Sequence, residues 1–317
     1  MSASELARRL LAGDARALAR AISLAEDRAA GAPEILRSVF AATGRARIVG
    51  VTGFPGSGKS SLVDRLTAAY RAEGRKVGVV AVDPSSAFSG GAILGDRIRM
   101  MRHSNDPGVF IRSMATRGAL GGLSRATSDA IDLLDAAGHE IVLVETVGVG
   151  QDEIDIVRAA DTVLVVLVPG MGDDIQAIKA GILEIADLFV INKADTPGAD
   201  RLQAEMEAMM SLGDGAARKE MVRTVAVRDE GTAELVAAIA RHGAASEASG
   251  AGADRRRQQS LSRFLELLRE RLLEAVTSRH LSGKELEQTA EKIAARRLDP
   301  YAATDRVLRK IGLDGGQ

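Results

Sequence analysis

The segment Gly53-Phe54-Pro55-Gly56-Ser57-Gly58-Lys59-Ser60 fits the spacing G-x-x-x-x-G-K-[ST] at every fixed position. Its glycines let the backbone curl so that successive N–H groups converge on phosphate oxygens. The helix expected to follow adds the positive end of its dipole. A lysine at position 59 can reach the β and γ phosphates, and a serine hydroxyl at position 60 can bind Mg²⁺. An apolar run, ARIVG, precedes the segment and an amphipathic one, LVDRLTAAY, follows it. That strand–loop–helix context separates a phosphate loop from a chance glycine-rich turn. Gly53, Pro55, Gly56, Ser57, Gly58, Lys59, Ser60 and Ser61 are therefore candidate phosphate-binding residues.

A second motif, Asn192-Lys193-Ala194-Asp195, closes a later apolar run, LFVIN. N-K-x-D is the guanine-reading motif of P-loop GTPases. A carboxylate at Asp195 can accept both the ring N–H and the exocyclic amine of guanine. Adenine lacks that ring N–H and would leave the acceptor unpaired. Asn192 and Lys193 would brace the loop and cover the base. By itself NKAD could be a turn with a helix cap, but downstream of a phosphate loop it points to GTP over ATP.

Acids close two further apolar runs. Asp83 ends VVAVD, and Asp96 lies beyond it in GGAILGDRIRM. Glu145 ends IVLVE, and Gly148 completes E-x-x-G where GTPases usually carry D-x-x-G. An acid there can hold a metal-bound water while the glycine N–H meets the γ phosphate. Val149, not glutamine, follows Gly148, and Gln151 is displaced. Slow intrinsic turnover, raised by a partner, is the expectation. Asp83 and Asp96 could equally cap turns, and the residues do not separate ligand, water holder and base. In the slot of the usual S-A-[KL] loop stands TVAVRDEGT, so the backbone N–H groups of Ala226 and Val227 would have to meet the base.

The elements that must position these groups follow from periodicity. The apolar runs RIVGVTG, KVGVVAVD, GVFIRSM, EIVLVE, TVLVVLVP, LFVIN and VRTVAV alternate with helical stretches. Several are continuously apolar and β-branched, as strands buried on both faces are. The pattern predicts an α/β domain, a mostly parallel sheet flanked by helices, over residues 44–243. Residues 1–43 form an N-terminal helical extension with apolar Leu6, Leu10, Leu18, Ile22 and Leu24 and a break at Gly31-Ala32-Pro33. AASEASGAGA, residues 244–253, is expected to be a flexible junction. Residues 254–317 form a helical C-terminal region: a long amphipathic helix, then helices starting near Ser282 and Pro300. Its stripe Phe264, Leu265, Leu267, Leu268, Leu272, Leu273 and Val276 can pack on the same chain or on a second copy. The run Arg255-Arg256-Arg257 is expected to be solvated.

Composition narrows the classes. With 46% hydrophobic and 27% charged residues and a net charge of −1, nothing pulls the chain toward nucleic acid or membrane. There is no cysteine, which excludes disulfides, cysteine zinc sites and thiol catalysis. The four histidines are widely spaced. No apolar run reaches membrane-spanning length. Glu5, Asp14, Glu26 and Asp27 argue against reading the arginine-rich N-terminus as a mitochondrial presequence, so a cytoplasmic protein is expected.

DPSSAFSGGAILGDRIRM, ETVGVGQDE, VPGMGDDIQAIKAGILEIADLFVINKAD and the tail DPYAATDRVL closely resemble the MeaB-like GTPases, which include the methylmalonic aciduria type A protein and bacterial proteins labelled ArgK. The likeness runs from LARAISLAED almost to the C-terminus. It implies a GTP-hydrolysing chaperone of adenosylcobalamin-dependent methylmalonyl-CoA mutase, or of a related acyl-CoA mutase. GTP binding and hydrolysis would be coupled to cofactor loading and protection of the mutase, and the C-terminal helices would form a homodimer. Carried over by motif, Lys59 and Ser60 belong to the phosphate loop, and Asp83, Asp96 and Glu145 to the Mg²⁺ and hydrolysis set. Asn192, Lys193 and Asp195 bind guanine. Asp174, Gln176 and Lys179, between Gly170 and Gly181, are candidates for signalling nucleotide state to the mutase. The ArgK label suggests a rival: an ATPase or kinase serving lysine, arginine and ornithine transport, against which NKAD counts. A metallochaperone lacks soft ligands here. A pure interaction protein with a degenerate site is the third rival, although all the chemical groups are present.

Overall fold

The computed structural model describes residues 1–83, 101–103, 105–115, 125–146, 159–170, 182–211 and 219–313. They fall into two compact units, Met1–Arg255 and Arg256–Gln317.

The first unit is built on seven strands: β1 Arg47–Gly53, β2 Val77–Asp83, β3 Val109–Ala115, β4 Ile141–Glu145, β5 Thr162–Leu167, β6 Leu188–Ile191 and β7 Glu220–Arg223. They hydrogen-bond in the order β3-β2-β4-β1-β5-β6-β7, every pair parallel. Parallel strands need crossovers and are covered on both faces, which is why β4 and β5 are buried at every position. Alternate residues serve opposite layers. Val142 and Val144 face one cluster, and Ile141 and Leu143 the other.

Three helices precede the sheet: α1 Ala3–Leu11, α2 Ala15–Glu26 and α3 Ala32–Val39. Helix α4, Lys59–Ala72, follows β1, and α5, Arg125–Ala136, precedes β4. A one-turn helix α6, Ile182–Ile185, precedes β6; α7, Ala199–Ser211, follows it, and α8, Thr232–Ala248, follows β7. One sheet face is covered by α4 and α8 through Leu62, Val63, Leu66, Leu235 and Ile239. On the other face α7 covers β5 and β6, while α5 and the three N-terminal helices share one core with β2, β3 and β4. The N-terminal stretch breaks twice rather than once. Gly13 adopts φ 80°, and Asp14 caps α2 by accepting the N–H groups of Arg16 and Ala17 at 2.9 and 3.0 Å. Its return to the sheet is fixed by Asp135, whose buried carboxylate accepts N–H groups of Gly44, Arg45 and Ala46.

Three expectations are corrected. The run VRTVAV is strand only at its start: β7 ends at Arg223, and residues 226–228 form a 3-10 turn. Asn192 accepts the Thr224 hydroxyl and the Ala226 N–H, which curls the chain. The expected flexible junction is helix on both sides of Ser249-Gly250, because alanine favours helix and Gly250, at φ 78°, alone supplies the break. The long helix α9 runs Ala251–Arg279. Arg255 is not simply solvated. It donates to both oxygens of Asp187 at 2.7 Å and to the Asp161 carbonyl at 2.7 Å.

The second unit continues α9 and adds α10, Gly283–Ala294, and α11, Pro300–Lys310. Ser282 and Glu285 form a reciprocal capping box on α10, and Asp299 caps α11. Leu261, Phe264, Leu265, Leu268, Leu272 and Leu273 of α9 are all exposed. Among the described residues no helix is long and apolar enough to cross a membrane.

Burial alone would raise the Asp187 carboxyl, but hydrogen bonds from Arg255 and His242 outweigh it and hold the group well below the usual carboxylate range. A depressed carboxyl stabilises the fold fully above its unfolded value of about 4 and loses that contribution as pH falls through the folded value. Asp187→Asn is expected to lower the unfolding free energy by about 2 kcal/mol at pH 7. In urea titrations the gap between wild type and variant should shrink as pH falls below the ordinary carboxylate range.

Candidate nucleotide site

Strand order places β1 at the centre, with β4 on one side and β5 on the other. The crossover leaving β1 runs toward β2 and the one leaving β4 runs the opposite way to β5, which makes this the crevice in which parallel sheets bind ligands. At the carboxyl edge, register sets Glu145 beside Val51 and Gly53 beside Val166. One strand pair further, Leu167 lies beside Ile191, and Ile191 beside Arg223.

The phosphate loop leaves β1 at Gly53, at φ 137°, where a Cβ would lie 2.2 Å from the Val166 carbonyl oxygen. A side chain at Gly58, φ 89°, would strike the Asn192 amide nitrogen at 2.4 Å. Both glycines are thus required by close approach as well as by conformation. Helix α4 starts at Lys59 with Gly58 as N-cap and no side-chain cap, so its first N–H groups face the loop. Lys59 is 6% exposed, and its Nζ donates to the carbonyls of Gly53 at 2.7 Å and Phe54 at 2.9 Å. The ammonium is held across the mouth of the loop.

Ser60 Oγ donates to Glu145 Oε1 at 2.6 Å. Glu145 is buried, and Thr146 beside it donates its hydroxyl to Thr52 and its N–H to the Val51 carbonyl. The longer acid at the end of β4 therefore reaches the serine of the phosphate loop. A hydroxyl and a carboxylate are hard oxygen donors, and their chemistry suits Mg²⁺. The backbone of Asp83 ends β2 in register with Ala115. Asp96, Gly148, Asp174, Gln176 and Lys179 lie outside the described residues.

Asn192 is 2% exposed and joins the two ends of the site. Its Nδ2 donates to the Ser57 carbonyl at 2.8 Å, and its Oδ1 accepts the Thr224 hydroxyl and the Ala226 N–H, both at 3.1 Å. Lys193, in the left-handed region at φ 54°, donates its Nζ to the Gly56 carbonyl at 2.9 Å. Asp195 sits at the exposed rim, where Arg228 Nη2 lies 2.9 Å from its Oδ2. The Ala226 N–H, expected to serve the base, is engaged by Asn192, and Val227 is 74% exposed.

Arg65 is a site residue that sequence reasoning missed. From α4 its Nε donates to the Ala226 carbonyl at 2.9 Å and its Nη2 to the Val227 carbonyl at 3.2 Å. An arginine on an amphipathic helix resembles any solvated cation, and only the fold brings residue 226 beside it. Ser57 Oγ is a further buried group, without a hydrogen-bond partner inside the loop.

An all-parallel sheet with this phosphate loop, and N-K-x-D braced against it, is the arrangement of the P-loop GTPases. Residues 18–280 match the family described as methylmalonyl Co-A mutase-associated GTPase MeaB, and the chain belongs to that family. A protein from Pyrococcus abyssi that carries a GTPase name is 48% identical over 317 residues, covering 98% of this chain and 97% of its own length. The mouse methylmalonic aciduria type A homolog, named as mitochondrial, is 36% identical, with 82% of this chain and 64% of its own length covered. The crystal structure of a LAO/AO transport system kinase superposes with a TM-score of 0.71 at 28% identity, covering 98% of this chain and 97% of that one.

Asn192→Ala would leave the Ser57 carbonyl and the Ala226 N–H buried without their shared partner. The expected result is a loss of about 2 kcal/mol in nucleotide binding, roughly thirtyfold in Kd for GDP by titration calorimetry.

Proposed function

We propose that this chain is a Mg²⁺-dependent GTPase that acts as a chaperone of adenosylcobalamin-dependent methylmalonyl-CoA mutase, or of a related acyl-CoA mutase. GTP and GDP states would govern cofactor loading and protection of that partner. The observation that carries the guanine reading is the bond from Asn192 Nδ2 to the Ser57 carbonyl, which ties the N-K-x-D turn to the phosphate loop. Support for the partner comes from membership of a family described as mutase-associated, and from the name of the mouse relative.

In this reading the N–H groups of Gly56 to Ser60 and the Lys59 ammonium bind the phosphates, and Asp195 accepts the two donors of guanine. Ser60 and Glu145 would hold Mg²⁺, with Asp83 and Asp96 as further candidates. The ion would supply neutralisation of the charge that develops on the phosphates. The N–H of Gly148 would meet the γ phosphate. With Val149 next to it, this segment has no glutamine at that place to orient water, so turnover by the chain alone is slow. The segments after Asp83, Glu145 and Pro169 would change with nucleotide state, and Asp174, Gln176 and Lys179 would pass the change to the mutase. A partner that favours one state shifts the equilibrium by no more than its differential affinity.

The C-terminal unit is assigned to homodimer formation. Phe264, Leu268 and Leu272 recur at helical spacing on α9 and are 60, 41 and 47% exposed. An apolar stripe of that length needs a cover.

Binding measured against GTP and ATP should favour GTP by at least about a hundredfold, and Lys59→Ala should lower single-turnover hydrolysis by about a hundredfold. ATP bound as tightly as GTP would return the transport-kinase reading. The mutase should bind with different affinity in GDP and in a non-hydrolysable GTP analogue; equal affinities and equal cofactor transfer would defeat the chaperone reading. Light scattering should give about twice the 33.3 kDa of one chain, and Phe264→Asp with Leu272→Asp should give a single chain.

A further inference from the structure

The Arg228–Asp195 pair has no place in the binding scheme above. Asp195 is the acceptor for guanine, yet in this structure its Oδ2 is engaged by Arg228 Nη2 at 2.9 Å. Arg228 also reaches Glu230, with Nε 3.1 Å from Oε1. Its backbone position is closely set. Arg65 holds the carbonyls of the two preceding residues. Val225 and Glu230 pair as an antiparallel bridge, and Asp229 turns the chain at φ 61°. The loop therefore delivers the guanidinium to the rim where the base must sit.

Chemistry makes this contact more than a surface ion pair. The edge of guanine that a carboxylate reads, N1–H with the exocyclic amine on C2, is itself a guanidine embedded in a ring. Arg228 offers the same donor type to the same acceptor. We propose that Arg228 is an internal surrogate for guanine: it occupies Asp195 and must be displaced before the base is read. Asp195 is thereby kept partnered, and guanine binding releases Arg228 toward Glu230. This rests on the guanine assignment of Asp195.

Both side chains are about half exposed, so the pair is a modest competitor. Removing it is expected to tighten guanine nucleotide binding by about two- to fivefold. The test uses the full chain with Arg228→Met, which keeps the apolar stem and removes the donors, and Arg228→Lys, which keeps the charge. GDP affinity should rise in the first and stay closer to wild type in the second. Asp195→Asn, which exchanges the acceptor for an amide that matches xanthine, provides the control. In that background Arg228→Met should leave XDP affinity unchanged, because the ion pair is already gone. Unchanged or weaker GDP binding by Arg228→Met would overturn the proposal, since the arginine would then be idle or would cover the bound base. An equal gain in both backgrounds would overturn it too, as a general effect of charge. Failure of the underlying assignment looks different: wild type would not prefer GDP to ADP.

Discussion

The site depends on one buried amide. Asn192 holds the phosphate loop with its nitrogen and the base loop with its oxygen, across 135 residues on one side and 34 on the other. A carboxamide suits this because it donates and accepts in one plane. A carboxylate could not donate to Ser57, and an ammonium could not accept from Ala226. Burial gives the arrangement its force, since each backbone group it serves would otherwise be left without a partner away from water. Lys193 repeats the theme at the rim through Gly56, and Arg65 closes the loop from the helix side. The distance between the phosphate and base positions is therefore set by side chain–backbone bonds, not by the strands alone.

Sequence reading recovers the frame well. Each of the seven apolar runs contains all or part of a strand, most plainly at β4 and β5, because a strand buried on both faces leaves a continuous β-branched signature. The phosphate loop and N-K-x-D are legible because each is a short contiguous motif whose fixed spacing reports its ligand chemistry, even though Gly58 and Asn192 meet only in the fold. Legibility falls off where the reason is non-local. VRTVAV has strand composition, but Asn192 diverts it after Arg223, and no pattern within the run reports that. Arg65 and Arg255 look like surface cations because their partners lie 161 and 68 residues away. Small residues at 244–253 suggest a loose tether, whereas alanine-rich sequence is also good helix.

Glu145 shows how a departure from the common pattern is absorbed. An acid one methylene longer than aspartate accepts the Ser60 hydroxyl directly, and Thr146 beside it bonds to Thr52 and Val51.

The N-terminal helices carry a consequence for how the chain can be divided. Their apolar faces are not a cap laid over a finished domain. Leu10, Leu18, Ile22 and Ile35 are in one cluster with Val80, Val142 and Val144, and Asp135 clamps the connecting backbone. A shortened protein begun at the phosphate-binding strand would keep α5 on β2 and β4 but would bare the apolar face of α5 and the part of that shared core the N-terminal helices cover. It would be expected to clump rather than work as a minimal switch, so evolution and the protein engineer alike must treat the first forty residues as part of the foundations.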